Sequence, residues 1–401
     1  MSAGPRSYLL FAVLVLVLLA ALTWANYQFT LENPGGNDFL PRWLGTRMFL
    51  LEGQSPYSPE TTNAIQTLIY GRHANLGEDA ALFAYPHYSM LIFAPFAAIG
   101  DYALARAAWM TLLEASALLV AVFSLAALGW HPSRGLLLAV LVFSVAWYHA
   151  ARTLINGNAA LLVALLMVLV LYMIISGSDG MAGIALALST IKPQMVLLFI
   201  VFLLLWAFYH VRYRFLIAFA ITWGGVVLMS TLIQPDWLAA ELNQVLTYPG
   251  YAPPGSPIEI FSTWWGTPGL VLGVMVALAS IAFILRSWLP ALRSESKSAF
   301  LYGAGLTLIA ANFSGIPTTT TNYAAMLPGL VMVLHELTKR PRGKLTSVIL
   351  LSGLLVGLWL LFILTLGGGA QFREHSVMFL PTPLALLAFF LWLRPQAGEA
   401  A

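Results

Sequence analysis

Apolar runs of roughly 20 residues recur along almost the whole of this chain, and that is the length a helix needs to cross the hydrocarbon core of a bilayer. Inside lipid every backbone N–H and C=O must be satisfied within its own segment, so such runs fold as helices. Hydrophobic residues make up 60% of the chain and charged residues only 9%, outside the range of ordinary globular domains. The expected fold is therefore an all-α membrane protein, a polytopic helical bundle forming a single integral domain over residues 1–401. The runs predict about twelve spans: Tyr8–Tyr27, Leu82–Gly100, Tyr102–Leu128, Gly135–Trp147, Ala159–Ile175, Met181–Phe208, Phe215–Ile233, Pro268–Trp288, Ala299–Phe313, Tyr323–Leu334, Leu345–Leu366 and Val377–Leu393. The first run has a basic start at Arg6 and continues to Trp24, longer than a signal-peptide core, so it is read as a retained span.

Lys and Arg orient these spans. With the N terminus inside, thirteen basic residues fall on inner segments, among them Arg106 and Arg152, and five fall outside: Arg42, Arg47, Arg72, Arg134 and Arg373. Lys192 lies within the sixth span. The bias predicts cytoplasmic N and C termini in a plasma (inner) membrane, with the long polar loops at 28–81 and 234–267 on the outer face. Basic residues in such loops serve topology, and no nucleic-acid partner is implied. There is no cysteine, which excludes disulfides, thiolate metal sites and cysteine nucleophiles. Phosphate-binding, zinc-protease and serine-hydrolase signatures are also missing, and no metal and no tightly bound cofactor are expected.

The first outer loop has a readable pattern. Asn37 or Asp38 can cap a helix that tolerates Pro41 in its first turn. Leu40, Trp43, Leu44, Met48 and Leu51 then share one face, and Gly53 ends the run. That describes an interfacial helix with its apolar side toward the acyl chains. On spacing alone Asp38 reads as a cap with Arg42 one turn on as its partner.

Gly36-Asn37-Asp38-Phe39, the amphipathic helix, and Leu51-Glu52-Gly53-Gln54-Ser55-Pro56-Tyr57 together resemble the opening of glycosyltransferase family 87. Tyr85-Pro86-His87, Asn156-Gly157-Asn158, Ala182-Gly183 and Lys192-Pro193 follow in the order that family shows. The resemblance implies a GT-C fold whose outer loops close over the active site. It implies transfer of mannose or a related hexose from a polyprenyl phosphate carrier to a lipid or glycan acceptor, with inversion. Carried onto this sequence, it makes Asp38 the general base, a proton acceptor such displacement chemistry needs.

A lipid phosphate leaving group needs cations or donors near its oxygens. The candidates are Arg42, Arg47, Lys192, Arg373 and His375; each arginine reads equally as a headgroup contact. His87, Tyr57, Glu259, Tyr251 and Asn322 are the candidate substrate contacts, although Tyr57 also fits an interfacial anchor. Asn322 stands where the family often has a histidine. Lys192 is costly inside a membrane and predicts a partner or a wet cavity, with Glu114 the available carboxylate. That pair also sustains the alternative, a secondary transporter or flippase with Lys192 and Glu114 in a central cavity.

Overall fold

A computed structural model describes residues 5–75, 78–247, 255–366 and 374–392. They form helices and connecting loops with no strand among them, so the all-α expectation holds. α1 (Pro5–Glu32) leads into two loop helices, α2 (Leu40–Glu52) and α3 (Pro59–Tyr70), then a 3-10 turn at His87–Ser89 and the short α4 (Met90–Ala97). The bundle continues with α5 (Tyr102–Leu128), α6 (Arg134–Ala146), α7 (Tyr148–Asn156), α8 (Ala160–Ile175), α9 (Asp179–Ser189), α10 (Pro193–Tyr209) and α11 (Tyr213–Ile233). It closes with α12 (Trp237–Thr247), α13 (Pro257–Arg293), α14 (Lys297–Ala310), α15 (Leu327–Thr338), α16 (Gly343–Thr365) and α17 (Pro381–Trp392).

Among the described residues five helices are long and apolar enough to cross a membrane: α1, α5, α11, α13 and α16. A sixth span arises if α6 and α7, bent by 43°, are one. The chain is a membrane protein on that composition, while α8, α9 and α10 are shorter apolar helices.

Two expected spans are built differently. Leu82–Gly100 holds only the three-residue turn and the eight-residue α4, about 12 Å of helix at 1.5 Å per residue, because residues 82–86, ending in Pro86, are not helical. The chain therefore re-enters at the end it left: Arg106 on α5 donates to the Asn33 carbonyl at 2.7 Å. Met181–Phe208 is a hairpin. Pro193 starts α10 after a non-helical Lys192, and beyond α10 Arg212 returns to Asp179 at the start of α9, 3.2 Å away.

Both changes reverse the sidedness of residues 100–180. Arg106 and Arg152 lie at the end holding Asp38, and Arg134 lies at the opposite end. The latter end is tied together by His210 Nε2 against the Ser294 carbonyl at 3.1 Å, Trp130 against His335 and Arg340 over Trp392. It also gathers Arg293, Lys297, Lys339, Arg342 and Lys344, so the charge asymmetry survives the correction.

Candidate active site

Asp38 is fixed from its backbone outward. Its N–H donates to the Asn156 carbonyl at 2.9 Å, which docks the first loop on the C-terminal end of α7. Gly157 makes that contact possible. It caps α7 at φ +70°, and a Cβ there would sit 2.5 Å from the Phe39 Cβ. Gly36 is similarly required: at φ +80° its Cβ would meet the Tyr102 hydroxyl at 2.7 Å and the Arg106 Nε at 2.8 Å. Below the loop, Phe39 is fully buried and stacks on Trp109 at 5.4 Å and 12°, and the Trp109 indole donates to the Gly157 carbonyl at 2.8 Å. An aromatic floor thus holds Asp38 against α7.

The capping expectation is not met. α2 begins at Leu40 with no side-chain cap. Asp38 instead turns its carboxylate away, and Oδ2 accepts from the Asn158 side-chain amide at 3.1 Å. Oδ1 accepts no hydrogen bond among the described residues. Asn158 Oδ1 accepts from the Ala160 N–H at 3.0 Å and from Lys192 Nζ at 2.5 Å. Lys192 also donates to Asn322 Oδ1 at 2.5 Å, and Asn322 donates to Thr318 Oγ1 at 3.0 Å. Four elements far apart in sequence, the first loop, α8, the α9–α10 turn and the segment before α15, therefore meet in one chain of hydrogen bonds.

Lys192 is 3% exposed. Asp38 and Arg42 both act on it electrostatically, but no carboxylate lies within ion-pair distance among the described residues. The expected Lys192–Glu114 pair does not form. Glu114 accepts from Asn26 on α1 at 2.8 Å, which fastens α1 to α5 and removes the pairing on which the transporter alternative rested.

Arg42 is buried. One nitrogen donates to the Asp38 carbonyl at 3.0 Å, its guanidinium lies 4.3 Å above the Tyr85 ring, and Nε has no partner. The tyrosine of Tyr85-Pro86-His87, quoted for its motif, is thus the plate beneath Arg42.

The other candidates are placed variously. Arg47 donates to the Ala97 carbonyl at 2.8 Å and ties α2 to α4. Tyr57 is buried, and its hydroxyl donates to the Tyr85 carbonyl at 2.7 Å. His87 is buried edge-on against Phe49; burial lowers its imidazole to about 4, so it is neutral, with Nε2 unpartnered. Glu259 turns back on Ser256 in a capping box at the start of α13. His375 is exposed and accepts from the Val377 N–H at 3.2 Å. Tyr251 and Arg373 lie outside the described residues.

Three residues absent from those candidates hold the site. Asn158 is the hub, present in a quoted motif but given no role. Arg106 bridges the carbonyls of Asn33 and Ile155; the twelve-span topology had put it on the wrong side. Glu374, beside His375, accepts from Tyr148 at 2.6 Å and from Thr320 at 2.7 Å, anchoring the segment that carries Asn322. Its signal was a lone carboxylate in an outer turn, which spacing does not distinguish from a solvated one. No cluster of three His, Asp or Glu residues suited to a metal occurs among the described residues.

The sequence model of glycosyltransferase family 87 matches residues 83–310, 228 of the 401 residues. The matched stretch includes Tyr85, Asn158 and Lys192 and begins after Asp38. No curated protein and no solved structure matches the chain.

Proposed function

The chain belongs to glycosyltransferase family 87, and from that premise we propose that it transfers a hexose, mannose or a close relative, from a polyprenyl phosphate carrier to a lipid or glycan acceptor. The fold is of the GT-C type, the reaction faces outward from the plasma membrane, and both termini are cytoplasmic. The clustering of basic residues at the end away from Asp38 supports that orientation.

One observation carries the reading: at Asp38 a carboxylate oxygen without a hydrogen bond among the described residues, on a side chain held by Asn158, beside the two buried cations Arg42 and Lys192. In the proposed step an acceptor hydroxyl attacks the anomeric carbon, the bond from that carbon to the phosphate oxygen breaks, and the hydroxyl proton passes to Asp38 Oδ1. A single displacement inverts the anomeric centre. The departing polyprenyl phosphate gains charge as the bond breaks. This reading assigns the Arg42 guanidinium and the Lys192 ammonium to meet it, and charge-assisted bonds in a dry site are the strong ones. Asn158 keeps the base oriented while leaving one oxygen open.

The test is transfer of the sugar from polyprenyl phosphate mannose to a supplied lipid or glycan acceptor by purified protein in lipid, wild type beside Asp38→Asn. Loss of turnover with an unchanged melting temperature supports the reading; equal turnover by both rejects Asp38 as the base.

A further inference from the structure

α12 buries one face, formed by Trp237, Glu241 and Gln244, at the i, i+4, i+7 spacing of a helix. The outer two members are fastened to the segment between α2 and α4. Trp237 lies edge-on to Tyr88 with ring centroids 6.0 Å apart. Gln244 accepts from the Ala84 N–H at 2.9 Å and donates to the Tyr57 carbonyl at 3.3 Å. Glu241 stands between them, 7% exposed, and makes no hydrogen bond or ion pair among the described residues. Tyr57 and Tyr88 are near enough to feel its charge, but their hydroxyls are committed elsewhere. Tyr57 donates to the Tyr85 carbonyl, and Tyr88 to the Thr190 carbonyl and hydroxyl at 3.1 and 3.0 Å.

A largely buried carboxylate with no protein donor costs stability unless donors reach it from outside, and the Glu241 oxygens are not sealed off. A ligand that brings its own donors would satisfy it. The same two tyrosines relate Glu241 to the site. Tyr57 bonds to Tyr85, which carries Arg42, and Tyr88 bonds to Thr190, two residues before Lys192. Sugar hydroxyls are donors of the required kind.

We propose that Glu241 is a sugar-recognition residue, accepting hydrogen bonds from hydroxyls of the hexosyl group whose phosphate is held by Arg42 and Lys192. This rests on the glycosyltransferase reading above. Burial raises the Glu241 carboxyl to about 7, and hydroxyl donors arriving with substrate would draw it to the charged, acceptor-only form.

The experiment compares wild type, Glu241→Gln and Glu241→Leu in lipid, with polyprenyl phosphate mannose and its glucose and galactose counterparts as donors. Glu241→Leu is expected to be at least as heat-stable as wild type. Its KM for the preferred donor should rise roughly 10- to 100-fold, discrimination among the three sugars should shrink, and kcat should change less. Glu241→Gln, which keeps one acceptor oxygen and the shape, should fall between. Wild-type KM and an unchanged donor ratio in both variants overturn the inference while leaving glycosyl transfer intact. Absence of turnover by wild type with every donor rejects the glycosyltransferase reading, and this inference with it.

Discussion

The side-chain amide of Asn158 donates to the Asp38 carboxylate at 3.1 Å while its oxygen accepts from Lys192 at 2.5 Å. One neutral side chain thus couples the proposed base to the buried ammonium without letting them form a direct ion pair. A direct pair would occupy both carboxylate oxygens more completely and lower the basicity of the acid. The arrangement keeps Asp38 oriented and open.

Asn158→Ala removes three bonds at once, those to Asp38, Lys192 and the Ala160 N–H. Leaving buried donors unpaired costs about 1–3 kcal/mol. The melting temperature should fall measurably, and transfer should drop at least tenfold at saturating donor. A variant with wild-type stability and kcat would remove Asn158 from the account.

Lys192→Met takes the cation from between Asn158 and Asn322. The expected result is a donor KM raised at least tenfold, from a lost charge-assisted contact of roughly 1.5–3 kcal/mol. Unchanged donor affinity would assign Lys192 a purely structural part.

Gly157→Ala tests the docking of the loop. The added Cβ would meet Phe39 at 2.5 Å in a left-handed backbone, and strain of that kind costs on the order of 1–3 kcal/mol. Activity should fall with stability, because the displaced Phe39 adjoins Asp38. Thermal unfolding together with a transfer assay distinguishes this from Asp38→Asn, which should leave stability alone.

Glu241 gives a signed pH dependence. Its carboxyl rises from an ordinary 4.5 to about 7 in the folded protein, so the folded state holds a proton that the unfolded state releases first. The associated stability is complete below about pH 4.5, declines as pH rises toward 7, and is gone above that. The span is at most about 3 kcal/mol. Without substrate, wild type should lose stability relative to Glu241→Leu between pH 5 and 8, measured by thermal unfolding; parallel curves would contradict the shift.

The helical class, the loop helix ending at Gly53 and the need of Lys192 for polar partners were all legible in the sequence, because apolar length, glycine caps and a charge in an apolar run are local signals. The two misread spans failed for a local reason of another kind. Pro86 and Pro193 stand where helices begin rather than continue, yet hydropathy alone sums across them. The pairing of Lys192 could not be read at all. Its partners Asn158 and Asn322 lie 34 and 130 residues away, and an amide carries no signature until the fold places it. Glu259 shows the converse, since Ser256 three residues before it is a local capping-box signal.

The most direct measurement of the central claim is transfer by purified protein in lipid, supplied with a panel of radiolabelled polyprenyl phosphate sugars, for wild type and Asp38→Asn at matched melting temperature. The account predicts turnover of one hexosyl donor by wild type, with Asp38→Asn slower by a factor of about 10²–10⁴. Comparable turnover by the two proteins would contradict it.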